Sequence, residues 1–160
     1  MSLYELSTIL WRTRELLELL LFKLEEEQLL LAAGPSRWLA HATREVEVVL
    51  EELRAGEVAR SAHSQAVALA LQLPPDASLA QIADAAPEPW NDLLLDHRRA
   101  FLTLTGEITA LAATNREMLS AGQRAAREAL LVVAGTVETY SPQGRTVAGA
   151  RRPSLIDEAL

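Results

Sequence analysis

Three histidines, two glutamate runs and one asparagine on an apolar seam are the side chains through which this 160-residue chain could do chemistry. Helical zinc sites place two histidines in an HExxH pair, and di-iron bundles place a glutamate three residues before each histidine. His41, His63 and His97 fit neither pattern, because Trp38, Arg60 and Leu94 occupy those preceding positions. No metal site is expected. The chain has no cysteine, which excludes thiolate ligands, disulfides and cysteine nucleophiles together. A phosphotransfer bundle would use one exposed helical histidine, but Arg98-Arg99-Ala100-Phe101 after His97 does not resemble that family's surroundings. Glu25-Glu26-Glu27 and Glu51-Glu52 are rich in carboxylates. General acid–base catalysis, however, needs such groups to converge in a concave site, and helical runs of this kind read as solvated faces. There is no glycine-rich phosphate loop. No catalytic residue, no cofactor and no enzymatic activity is therefore expected. His97 reads as a hydrogen-bonded packing residue, and His41 and His63 as surface residues. Asn115, set between Leu111 and Met118, has two readings, and an internal hydrogen bond that fixes helix register is preferred over a partner contact.

These residues are carried by helices. Hydrophobic residues make up 49% of the chain and aromatics 4%, with only 7 Gly and 7 Pro, a leucine- and alanine-rich composition that suits an all-α protein. The length fits one domain. The formal charge is −7. Residues 141–160 hold three arginines against Asp157 and Glu158, so residues 1–140 carry −8. An acidic body repels phosphate backbones, and nucleic acid is not an expected partner. No apolar run approaches a membrane span, and the first residues lack the basic start and apolar core of a signal peptide. No membrane insertion is expected, and the location expected is the cytoplasm.

Four helices are predicted, at about 3–33, 36–73, 78–85 and 89–139, in a domain over 1–140 followed by a flexible tail over 141–160. The first ends at Gly34-Pro35 and has the seam Leu3, Leu6, Leu10, Leu17, Leu20, Leu24 and Leu31, interrupted by Thr13 and Glu27. Around its middle the apolar arc widens to include Leu16, Leu19, Leu21 and Phe22, more than one neighbouring helix would cover. The second helix has a first seam of Leu39, Val46, Val49, Leu50 and Leu53 and a second of Ala62, Ala66, Leu69 and Leu73, divided at Gly56. Pro74-Pro75 ends it. Ser78-Leu79-Ala80-Gln81 fits a capping box that opens a short linker helix. The fold expected is all-α, an antiparallel bundle of three long helices with coiled-coil character plus that short helix.

The last helix is the longest. From Trp90 to Thr139 there is no proline, and Trp90, Leu94, Phe101, Leu104, Ile108, Leu111, Met118, Gly122, Ala125, Ala129 and Val132 recur three and four apart. At about 1.5 Å per residue it spans about 75 Å, against about 57 Å for the second helix. Its last dozen residues, from about Glu128, are apolar and are expected to have the fewest intramolecular neighbours. The stripe is expected to divide between Asn115 and Glu128 into a bundle-building part and a partner-holding part.

The order of these parts resembles the FlgN family of flagellar type III export chaperones. The resemblance is carried by the leucine- and glutamate-rich stretch Glu15–Gln28, by Arg44–Leu53, by Asn115-Arg-Glu-Met-Leu119 and by Tyr140-Ser-Pro-Gln-Gly144. It covers residues 5–144. It implies a non-enzymatic protein of the cytoplasm that binds C-terminal amphipathic helices of the hook–filament junction (hook-associated) proteins, prevents their premature association and delivers them to the export gate. By the same resemblance, Met118, Leu119, Gly122, Ala126, Leu130, Val133 and Val137 are the expected client-binding residues, and Tyr140 the expected export-gate docking residue. Apolar anchors three and four apart suit helix-in-groove binding, and small residues permit close approach. The alternative is a structural coiled-coil protein whose exposed helix end makes a homodimer, without a secretion client.

Overall fold

The computed structural model describes the backbone of residues 2–139 and side chains through residue 133. Tyr140 and the tail lie outside the described residues. The structure is all-helical, with α1 Leu3–Ala32, α2 Leu39–Ala70, the short α3 Leu79–Ala85 and α4 Trp90–Thr139. The chain divides into two compact units, Met1–Leu119 and Ser120–Leu160. No described helix is long and apolar enough to cross a membrane.

Local chemistry sets the ends. Ser2 opens α1 with a capping box: its hydroxyl accepts from the Glu5 backbone N–H at 3.2 Å, and the Glu5 carboxylate accepts from the Ser2 N–H at 2.7 Å. That backbone hydrogen bond holds the Glu5 carboxyl below its usual value. Ser78 and Gln81 repeat the arrangement at α3, as the sequence predicts. Gly34, just past the end of α1, sits at φ +93°, a conformation that favours glycine.

The second helix is shorter than expected at both ends. It begins at Leu39 because the Ser36 hydroxyl accepts from the Trp38 N–H and holds residues 36–38 in a turn. It stops at Ala70 rather than Leu73. Gln72 turns left-handed at φ +61°, the Leu73 N–H bonds to the Ala68 carbonyl at 2.8 Å, and the Gln72 N–H bonds to the Leu69 carbonyl at 3.0 Å. This is a Schellman closure with glutamine in the place glycine usually takes. Pro74 makes such an end necessary, because the residue before a proline avoids helical geometry. Replacing Gln72 with Gly should relieve the left-handed strain and raise stability by about 1 kcal/mol. Thermal melts of the two proteins check this.

In the first unit, α1, α2 and the first part of α4 run up, down and up. Lys23 pairs with Glu45 and Arg12 with Glu52, so residue numbers fall along α2 as they rise along α1. Arg14 pairs with Asp96, and Asn115 reaches the Leu24 carbonyl, so numbers rise together along α1 and α4. These pairs are partly or largely exposed, and such pairs contribute under about 1 kcal/mol each. A buried leucine contributes about 2 kcal/mol, so the seams hold the bundle. At one end Leu6 and Leu10 of α1, Val67 and Ala68 of α2, Ile82 and Ala83 of α3 and Leu94 of α4 form one core. Toward the other end, Leu20, Leu24, Val46 and Val49 form a second, against Ile108, Leu111 and Ala112. Between them, residues 54–59 of α2 are all exposed.

The core corrects the second seam of α2. Val67 and Ala68 are buried where Ala62 and Leu69 are exposed and Ala66 and Leu73 are half-buried. Apolar residues there alternate too densely to mark one face. Contact with α3 selects Val67 and Ala68, the alanine allowing close approach. On α1, Leu16 is buried and Leu17 half-buried.

Candidate functional site

The seam of α4 can be followed by burial. Leu94, His97 and Asn115 are buried, and Trp90, Phe101, Leu104, Ile108, Leu111 and Met118 are half-buried. Asn115 is the last buried residue among those described. Leu119 is half-buried, and every residue from Ser120 to Val133 is exposed. The change falls inside the interval between Asn115 and Glu128 expected from the sequence.

Asn115 makes the internal hydrogen bonds preferred for it. Its Nδ2 donates to the Leu24 carbonyl at 2.9 Å and to Glu27 Oε1 at 3.0 Å, while Glu27 Oε2 accepts from the Thr43 hydroxyl at 2.8 Å. One buried carboxyl thus joins α1, α2 and α4. Glu27, an interruption in the α1 seam, and Asn115, an interruption in the α4 seam, meet each other.

His97 is buried, as a packing residue should be, but not as a hydrogen-bonded one. Neither ring nitrogen has a hydrogen-bond partner among the described residues. The ring lies edge-on to Trp11, with centroids 4.7 Å apart, and stacks on Phe101 at 6.1 Å. Burial lowers its pKa from 6.5, nearby Arg14 lowers it further, and Asp96 opposes them. The folded protein thus resists a proton that the unfolded chain accepts. Stability from this group is fully present above pH 6.5 and declines as pH falls below that value. Thermal melts between pH 7.5 and pH 5.5 should show this decline in the wild type and a flatter profile in His97→Leu. Carboxylates such as Glu5 and Glu45, whose values are lowered, act below pH 4.5, outside this window. His41 pairs with Glu45 at the surface, and His63 Nδ1 donates a 2.8 Å bond to the Ala59 carbonyl.

Two grooves flank α1. One, of about 300 Å³ against α4, contains Glu18 and Asp96, and both carboxylates are bonded to the single guanidinium of Arg14. The other, of about 330 Å³ against α2, has Leu19, Val48 and Val49 with the Lys23–Glu45 pair. That 2.9 Å bond raises Lys23 and lowers Glu45. No group of three or more metal-ligating side chains occurs among the described residues.

The expected client-binding residues are placed as follows. Met118 and Leu119 are half-buried and belong to the first unit. Gly122, Ala126, Leu130 and Val133 are exposed in the second, and a Cβ at Gly122 would meet nothing within 4 Å. Val137 lies in the helix but its side chain is outside the described residues, as is all of Tyr140. Steps of three and four spread Met118 through Val133 over an arc of about 120° on α4. Leu131 and Val132 are also well over half exposed and fall outside that arc. Val132 belongs to the seam that recurs from Trp90, and the signal for Leu131 in the sequence is the unbroken run Leu130-Leu131-Val132-Val133.

A family model described as FlgN protein matches residues 1–148. No curated protein and no solved structure matches the chain.

Proposed function

The chain belongs to the FlgN family, whose members are flagellar export chaperones and not enzymes; from that premise we propose that it holds C-terminal amphipathic helices of the hook–filament junction proteins in the cytoplasm, prevents their early association and delivers them to the export gate. The observation that carries this reading is the exposed apolar run Leu130–Val133 on α4, each side chain at least 55% exposed. Four adjacent apolar residues left in water are a partner surface in waiting. Their aliphatic character, with Ala126 and Gly122 one and two turns earlier, suits an amphipathic helix laid along α4. Alanine and valine packing of this kind is weaker than a leucine seam, which suits a client that must later be released.

The test is co-elution of the full chain with a peptide of a junction protein's C-terminal helix. A complex is expected. A stable homodimer that ignores such peptides would overturn the reading in favour of a structural coiled-coil protein. Tyr140 is proposed to dock at the export gate. Tyr140→Ala should therefore keep client binding while secretion of junction proteins and swimming decline several-fold, and normal secretion would remove the assignment.

A further inference from the structure

The face of α1 turned away from both cores carries a second apolar surface. Tyr4, Trp11, Phe22 and Leu29 are 70%, 45%, 54% and 71% exposed. Their separations of seven, eleven and seven residues return to within about 20° of one direction on a helix of 3.6 residues per turn. The buried Leu6, Leu10, Leu20 and Leu24 point about 110° to 170° from it. Leu19, on the edge of this stripe, continues it into the groove toward α2 and exposed Val48. An internal helix of this bundle needs one apolar face, and α1 has two.

The charges on the stripe are of one sign. Glu15, Glu18, Glu25 and Glu26 lie within about 60° of its centre; Arg12, Arg14 and Lys23 lie further round, and each is shared between one of these glutamates and a carboxylate of α2 or α4, so the surface stays net acidic. A second copy of this chain is a poor occupant. Paired in parallel, the same glutamates meet, and paired antiparallel with Tyr4 opposite Leu29 and Trp11 opposite Phe22, Glu15 meets Glu18. Like charges placed opposite one another disfavour pairing. We propose that this stripe docks an amphipathic helix of another protein, apolar on one face and flanked by lysine or arginine, distinct from whatever occupies α4. Trp11 gives the site a fixed anchor, since its ring is held by His97 beneath and by Arg14 at 5.1 Å.

The experiment uses the full chain and two labelled four-heptad peptides with leucine at a and d, one with lysine and one with glutamate at e and g, read by fluorescence anisotropy. The lysine peptide should bind at least tenfold tighter than the glutamate peptide. Phe22→Glu with Leu29→Glu should weaken it at least tenfold without changing the helical signal, since both side chains are more than half exposed. Glu15→Lys with Glu25→Lys should reverse the preference between the peptides. With the α4 surface removed by Leu130→Asp and Val133→Asp, the tenfold preference for the lysine peptide should persist, which separates this site from the α4 surface. Equal binding of the two peptides, retention of binding in the Phe22/Leu29 variant, or a homodimer abolished by that variant would each overturn the proposal.

Discussion

Replacing Leu130 and Val133 together with Asp is expected to lower affinity for a junction-protein helix by about a thousandfold while leaving the melting of the first unit unchanged. Each substitution removes an apolar contact of about 2 kcal/mol, and about 4 kcal/mol corresponds to roughly three orders of magnitude in the dissociation constant. The new carboxylates would also have to be desolvated under a bound helix. Both side chains are well exposed in the second unit, so neither is needed to close a core, and surface changes of this kind usually stay within about 0.5 kcal/mol in stability. Binding measured by calorimetry, beside thermal melting, separates the outcomes. Loss of melting temperature would make the two residues core, and unchanged binding would move the client surface elsewhere.

The second large effect concerns Asn115. Asn115→Leu takes a donor from the Glu27 carboxyl, which is buried with only Thr43 left to donate to it. A buried carboxyl that loses a partner costs about 3 kcal/mol, where replacing both partners by apolar groups is often nearly neutral. The single variant should melt about 10 °C lower. Adding Glu27→Leu should restore most of that loss, giving a coupling above about 1 kcal/mol in a double-mutant cycle. A single variant as stable as the wild type would show that the polar junction contributes nothing to the fold.

Much of this architecture is legible in the sequence because leucines at helical spacing leave few alternatives. The seam from Trp90 to Met118, its two polar interruptions, the Gly34 turn and the Ser78 capping box all follow from local rules. What was hidden depended on neighbours that no local window contains. The Ser2 and Glu5 box is readable locally as Ser-x-x-Glu. Which residues of α2 face inward is decided by α3, which shares a core with Leu6 and Leu10 of α1 far away in the chain. The wide apolar arc of α1 signalled a second contact, but only burial distinguishes Leu16, turned inward, from Phe22, turned outward. His97 was legible as a seam residue. Its lack of a hydrogen-bond partner was not, since that depends on Trp11 and Phe101 filling the space around it. The proposed partner surface on α4 is legible as apolar character and as a boundary, and its individual residues rest on the family resemblance.

The exposed stretch of α2 between the two cores has a mechanical meaning. Residues 54–59 bury nothing, so α2 there acts as a strut between two separately clamped ends. Domains with one contiguous core open all at once. Here the clamp at Leu20, Leu24, Val46 and Val49 can breathe while the one built on Leu6, Val67 and Ile82 stays shut. Amide exchange would then sort the first unit into two zones of unequal protection, and whatever loosens one end is expected to leave the other end's clock largely unchanged.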